Sequence, residues 1–202
     1  MPVRSLYLRP EYGISFIEPK KFIRMISGVT AEIMQASRKI IHYETLATWR
    51  AHLEEMNRPL VVTNGCFDLL HPGHLFLLEK ARELGNTLLV GVTGDEAIRM
   101  LKGAGRPAMP ARDRLLLLSG LEAVSNVCLF PEVDALAFLQ AAQPDVYVKG
   151  GDYTMESLNQ EERRFLEGAG VKIQIIPRFE LQSSSAVFER VAQRATGGNL
   201  AA

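Results

Sequence analysis

The chain has 202 residues, 47% of them apolar, with 23 basic and 23 acidic side chains, enough length for one sizeable core plus an extension. The even charge balance recruits neither nucleic acid nor an anionic membrane surface, so any anion site must be built locally. Cys66 and Cys128 read as reduced thiols, and no apolar run approaches the ~20 residues that a bilayer span needs, so a cytoplasmic protein is expected.

Residues 1–38 contain Pro10, Gly13, Pro19 and Gly28 without a clean period and predict a loosely attached N-terminal extension, with the functional domain over 39–197. In residues 39–58, Leu46, Trp49 and Leu53 recur at helical spacing and predict a helix for the edge or back of a sheet. Short apolar runs then follow at 60–63, 87–92, 126–130, 145–149 and 171–176, each bounded by turn residues and apolar on both faces, the mark of buried parallel strands. Helical patterns separate them at 73–84, 111–123, 133–142 and 156–168, and "AVFERVAQR" predicts a last helix near the C-terminus. This alternation predicts an α/β fold: an open, doubly wound parallel sheet of five strands with flanking helices, whose ligands sit at the carboxyl ends of the strands.

The loop after the first of these strands, "NGCFDLLHPGH", carries the strongest chemistry. Asn64 and Gly65 allow a sharp exit from the strand, and Pro72 suits a first helical turn, where its missing N–H is not needed. The free N–H groups and dipole of that helix favour an anion, and Gly73 lets a ligand approach the backbone closely. His71 and His74, three apart, share one face of that mouth and can donate hydrogen bonds to a phosphate under attack. The competing readings are surface imidazoles, the commoner meaning of a short H-x-x-H, and a zinc pair. Zinc needs further ligands, and the other histidines, His42 and His52, lie in the preceding segment, so no protein metal site is expected.

Gly65, Phe67, Asp68, His71, Gly73 and His74 together resemble the G-x-F-D-x-x-H-x-G-H signature of the H-x-G-H nucleotidyltransferase superfamily, in its cytidylyltransferase-like branch. The resemblance implies a Rossmann-like fold and in-line attack of a substrate phosphate on the α-phosphorus of a nucleoside triphosphate, with pyrophosphate leaving. Positioning and charge neutralisation are what such a loop can supply.

Other stretches extend the pattern. Lys102, Arg106 and Arg114 surround a Gly103–Gly105 loop where a basic lid over phosphates would sit, and Lys102 and Arg114 are expected to contact them; solvated surface charge is the bland alternative. This stretch is similar to the family's "LKG…RP…P…R". Lys149 ends the fourth predicted strand, and Gly150 with Gly151 would bring amides to a nucleotide, with Asp152 and Tyr153 facing substrate. "KGGDY" resembles the run in D-glycero-β-D-manno-heptose 1-phosphate adenylyltransferases. Ser183, Ser184 and Ser185 read as N-caps of the last helix, and in the relatives the equivalent segment contacts nucleotide. Arg178, expected on the substrate side, and Glu180 resemble the cytidylyltransferase "R-T-E-G", although Leu181 stands where glycine is usual.

The expectation is an adenylyltransferase that converts ATP and a heptose 1-phosphate to ADP-heptose and pyrophosphate, for lipopolysaccharide or another surface glycan. Mg2+ would arrive with the ATP, and the family suggests a homodimer. Many heptose enzymes carry a ribokinase-like kinase, so the sugar phosphate is expected from a separate kinase. The alternatives are a CTP-dependent cytidylyltransferase for glycerol 3-phosphate or a similar alcohol phosphate, and a nucleotide-binding module without turnover.

Overall fold

Each of the five predicted strands is present in a computed structural model, which describes residues 36–151 and 153–177. In chain order the elements are β1 (Ile40–Ile41), a 3-10 turn (Tyr43–Thr45), α1 (Leu46–Glu55), β2 (Leu60–Gly65), α2 (Pro72–Arg82), β3 (Thr87–Thr93) and α3 (Asp95–Lys102). They continue with α4 (Ala111–Ser119), β4 (Asn126–Phe130), α5 (Leu136–Ala142), β5 (Val146–Gly151), α6 (Gln160–Gly168) and β6 (Lys172–Pro177). Among the described residues no helix is long and apolar enough to cross a membrane.

Among the described residues the sheet has six strands rather than five, all parallel, in the order β1-β4-β3-β2-β5-β6. The additional strand, β1, is a two-residue edge that pairs Ile40 with Val127 and Ile41 with Cys128. Lys39 pins this edge by donating to the carbonyls of Leu121 at 3.0 Å and Val124 at 2.8 Å. So short a strand carries no periodicity of its own and exists because β4 offers it a ladder. Helix α3 is a further element outside the predicted helical patterns. Asp95 and Glu96 stand in its first turn and Arg99 and Lys102 in its last, matching the helix dipole, while Ala97 and Ile98 bury its inner face.

The apolar runs are continuous because each central strand feeds two cores. Along β2, Leu60 and Val62 pack on one side with Phe138, Leu139 and Leu166, while Val61 packs on the other with Leu78, Ala81 and Leu118. Residues along β3 alternate the same way, and all of them are buried. Each fully buried side chain of this kind stabilises the fold by roughly 1.5–3 kcal/mol relative to exposure. Gly91 on β3 is required for this packing, since a Cβ there would meet the Phe138 ring at 2.6 Å.

The order reverses at β2, which pairs with β3 on one side and β5 on the other. With β3 the ladder runs from Leu60 to Gly65, but with β5 it stops at Thr63 opposite Val148. Beyond that point Asn64 and Gly65 part from Lys149 and Gly150, which opens a crevice at the carboxyl ends of the strands.

Candidate active site

The loop leaving β2 is shaped before it reaches the histidines. Phe67 sits at φ 46°, and its ring folds back so closely that a Cβ on Gly65 would meet it at 3.2 Å. His71 is the extended N-cap of α2, and its Nδ1 accepts the Gly73 N–H at 3.1 Å. With Nδ1 used as an acceptor, the neutral His71 ring carries its proton on Nε2. His74 lies one turn on, its ring stacked on His71 at 3.9 Å between centroids and flanked by Phe67 at 5.1 Å. Burial, and then the neighbouring His71 and Lys102, push the His74 imidazole down to about 4, so it is neutral at pH 7. Its Nδ1 is buried with no hydrogen-bond partner among the described residues, an arrangement suited to a ligand that supplies one.

Two buried clamps tie this loop to the basic stretch that follows α3. Asp68 pairs with Arg106 at 2.7 Å and accepts the amides of Ala108 at 2.7 Å and Met109 at 3.1 Å. Arg114 donates to the carbonyls of Cys66 at 2.6 Å and Met109 at 3.0 Å and to the Asp95 carboxylate at 2.6 Å. Arg114, expected at a phosphate, has a side chain that is 0% exposed with its donors on protein acceptors, so in this structure it ties loops together. Asp68 likewise borders the cavity but directs its oxygens into the clamp. Lys102 is different. It ends α3 exposed, lines the cavity, and extends its charge to His74.

Across the crevice, β5 contributes Lys149, 8% exposed, whose amine reaches the Asn64 carbonyl at 3.4 Å and lies 4.9 Å from the Tyr153 ring. Burial lowers this ammonium to about 8 despite the opposing pull of Glu162 and Cys66. Beneath it the Tyr147 hydroxyl donates to Asn64 Oδ1 at 2.7 Å and stands 3.5 Å from Glu162 Oε2. Gly150 matters for space: a Cβ there would meet Leu77 of α2 at 2.6 Å.

The histidine loop, Lys102 and the end of β5 line an open cavity of about 950 Å3. Its walls include the predicted Gly65, Phe67, His71, Gly73 and His74 on one side. Lys102, Lys149, Gly150 and Tyr153 complete the set that the fold brings together. Asp152, Arg178, Ser183, Ser184 and Ser185 lie outside the described residues. The volume is at the upper end of the range for sites that take a small ligand. Among the described residues no group of three or more His, Cys, Asp or Glu could hold a metal ion, and Asp68 and Glu162 are already engaged.

The sequence reading missed Asn64, Asn159 and Glu162 as cavity residues. Asn159 had a signal, because it caps α6 by accepting the amides of Glu161 at 2.9 Å and Glu162 at 3.2 Å, just ahead of an acidic first turn. Glu162 had none, since "NQEERRF" reads as a solvated face.

The family model described as Cytidylyltransferase-like matches residues 62–192. The bifunctional protein HldE of Trichlorobacter lovleyi is 36% identical over 184 residues, 91% of this chain and 36% of that protein. HldE of Pseudomonas paraeruginosa is 40% identical over 145 residues, 72% of this chain and 29% of that protein. The chain thus spans about a third of the length of these curated relatives, 36% and 29% in the two cases. Among solved structures, the lipopolysaccharide core biosynthesis protein of Thermoplasma volcanium is similar at 26% identity and a TM-score of 0.51, covering 62% of this chain and 99% of that one. Pantoate-β-alanine ligase of Francisella tularensis shares the fold at 11% identity and a TM-score of 0.53, with 81% of each chain covered.

Proposed function

The chain belongs to the cytidylyltransferase-like family of nucleotidyltransferases, and on that premise we propose that it transfers AMP from ATP to a heptose 1-phosphate. The observation that carries the reading is the stacked His71–His74 pair at the N-terminus of α2, at the reversal point of the sheet, with the charge of Lys102 beside it. An oxygen of the acceptor phosphate attacks the α-phosphorus, the bond to the bridging oxygen breaks, and pyrophosphate leaves with the electron pair. His71 offers its Nε2–H, and the neutral His74 offers one further donor, to non-bridging oxygens whose charge rises during attack. Lys102 neutralises the departing pyrophosphate, and the α2 N-terminus adds its backbone N–H groups.

The heptose acceptor is supported by the resemblance of "KGGDY" to the heptose adenylyltransferases and by the similarity to a lipopolysaccharide core biosynthesis protein. In this reading Ser183 to Ser185 hold the nucleotide, while Asp152, Tyr153 and Arg178 serve the sugar. Magnesium would enter as the counter-ion of ATP, and its charge would offset that of the phosphates.

The test is pyrophosphate release by the purified chain with magnesium, crossing ATP and CTP with heptose 1-phosphate and glycerol 3-phosphate. Release with ATP and the heptose is expected. Release with CTP and glycerol 3-phosphate in its place would overturn both the donor and the acceptor.

A further inference from the structure

Lys149 is a buried cation in an unusual setting. It lines the cavity, its amine makes a single long hydrogen bond of 3.4 Å to a main-chain carbonyl, and it has no ion pair among the described residues. A buried carboxylate linked to it through Tyr147 and Asn64 is Glu162 on α6, 6% exposed and also at the cavity wall. Glu162 Oε1 accepts the Ala135 amide at 2.7 Å, in the loop that enters α5, and Oε2 lies 3.5 Å from the Tyr147 hydroxyl. Tyr147 in turn binds Asn64, whose carbonyl receives the lysine, and the Lys149 amine sits 5.6 Å from the Tyr147 ring. One carboxylate at the start of α6 therefore touches the loop before α5 and Tyr147 of β5, and through Tyr147 it is linked to Asn64 near the end of β2.

We propose that Glu162 is a positioning residue that joins these segments and supplies the buried counter-charge for the Lys149 ammonium, which presents a cation to an electron-rich oxygen or nitrogen of the bound substrates. A carboxylate kept for structure alone would serve Ala135 and Tyr147 equally well as an amide. A counter-charge would not. The lowered range of Lys149, to about 8 with Glu162 already opposing the fall, places the consequence within reach of ordinary assays.

Replacing Glu162 by Gln keeps an acceptor for the Ala135 amide and removes the charge. Two unit charges sharing such a partly dry site couple by on the order of one pH unit. The other groups facing Lys149 are Cys66 from the loop after β2, Tyr147 from β5 and Tyr153 from the loop after β5; burial raises both tyrosines, so they stay neutral through pH 9. Cys66→Ser replaces the thiol by a hydroxyl of similar size.

The deciding experiment titrates lysine 13Cε signals in the full chain, with Lys149→Arg identifying the resonance, in Cys66→Ser backgrounds with and without Glu162→Gln. A Lys149 midpoint about one unit lower in Glu162→Gln is expected. An unchanged midpoint overturns the proposal. The activity arm rests on the proposed adenylyl transfer: kcat/KM of Glu162→Gln relative to the parent should fall about fivefold between pH 7 and pH 9, as a one-unit move of an alkaline limb near 8 requires. A loss equal at every pH would make Glu162 merely structural and also overturn it. Silence of the parent with every substrate would count against adenylyl transfer and leave the NMR titration to decide.

Discussion

Replacing Arg114 by Met separates a loop clamp from a phosphate ligand. The guanidinium is 0% exposed and its three bonds, 2.6 Å to Cys66, 3.0 Å to Met109 and 2.6 Å to Asp95, span the histidine loop, the stretch after α3 and the first turn of α3 itself. Methionine fills much of the volume but leaves two carbonyls without a donor, at about 1 kcal/mol each. It also strips Asp95 of its counter-charge. A fully buried pair broken this way loses about 3–5 kcal/mol, but Asp95 is 30% exposed and regains part of its hydration, so about 2 kcal/mol is assigned to it. The sum, about 4 kcal/mol, is a large part of the 5–15 kcal/mol that holds a typical domain together. Urea unfolding of the full chain should show it as a lowered midpoint with the slope unchanged, and Arg114→Lys should lose about 2 kcal/mol because an ammonium cannot span the three acceptors. A Met variant within about 1 kcal/mol of the parent, yet with a raised KM for ATP, would refute the clamp and return Arg114 to the ligand.

Three other outcomes follow from the same geometry. His74→Ala should lower kcat for pyrophosphate release by about 10²–10³, the usual loss of one preorganised donor, while the urea midpoint stays close to the parent's. Because His74 is held near 4 in the fold against 6.5 unfolded, the unfolded chain binds the extra proton, so stability is full above pH 6.5 and is lost as pH falls toward 4. Ligand-free parent should therefore lose of the order of 2 kcal/mol more than His74→Ala between pH 7 and pH 4.5, and parallel pH slopes in urea unfolding would contradict this. Gly91→Ala should cost about 1–3 kcal/mol by the same measurement, because its Cβ meets the Phe138 ring at 2.6 Å and Asn64 Cβ at 3.1 Å, whereas Gly150→Ala meets the movable end of Leu77 and should cost less.

Much of this was legible in the chain itself. β2 to β6 could be placed because burial on both faces leaves unbroken apolar runs such as "TLLVGV", and the anion mouth could be placed because Asn64-Gly65 and Pro72-Gly73 act within a few residues of where they stand. Helix α3 was obscured by its charged outer face beside a glycine-rich stretch, and β1 by a length of two residues. The side chains that stabilise the crevice were harder still. Arg114 and Lys102 look alike in sequence, each a cation near a flexible loop, and Glu162 looks like its neighbours Glu161 and Arg163. Local propensity and periodicity determined the elements and their order. Which charge is desolvated, which one is paired and which one faces the cavity depended on partners 15 to 85 positions away, such as Tyr147 for Glu162, Cys66 for Arg114 and Asn64 for Lys149. Those pairings form when strands and helices pack, since desolvation and the electrostatics it strengthens belong to the assembled interior and have no counterpart in the extended chain.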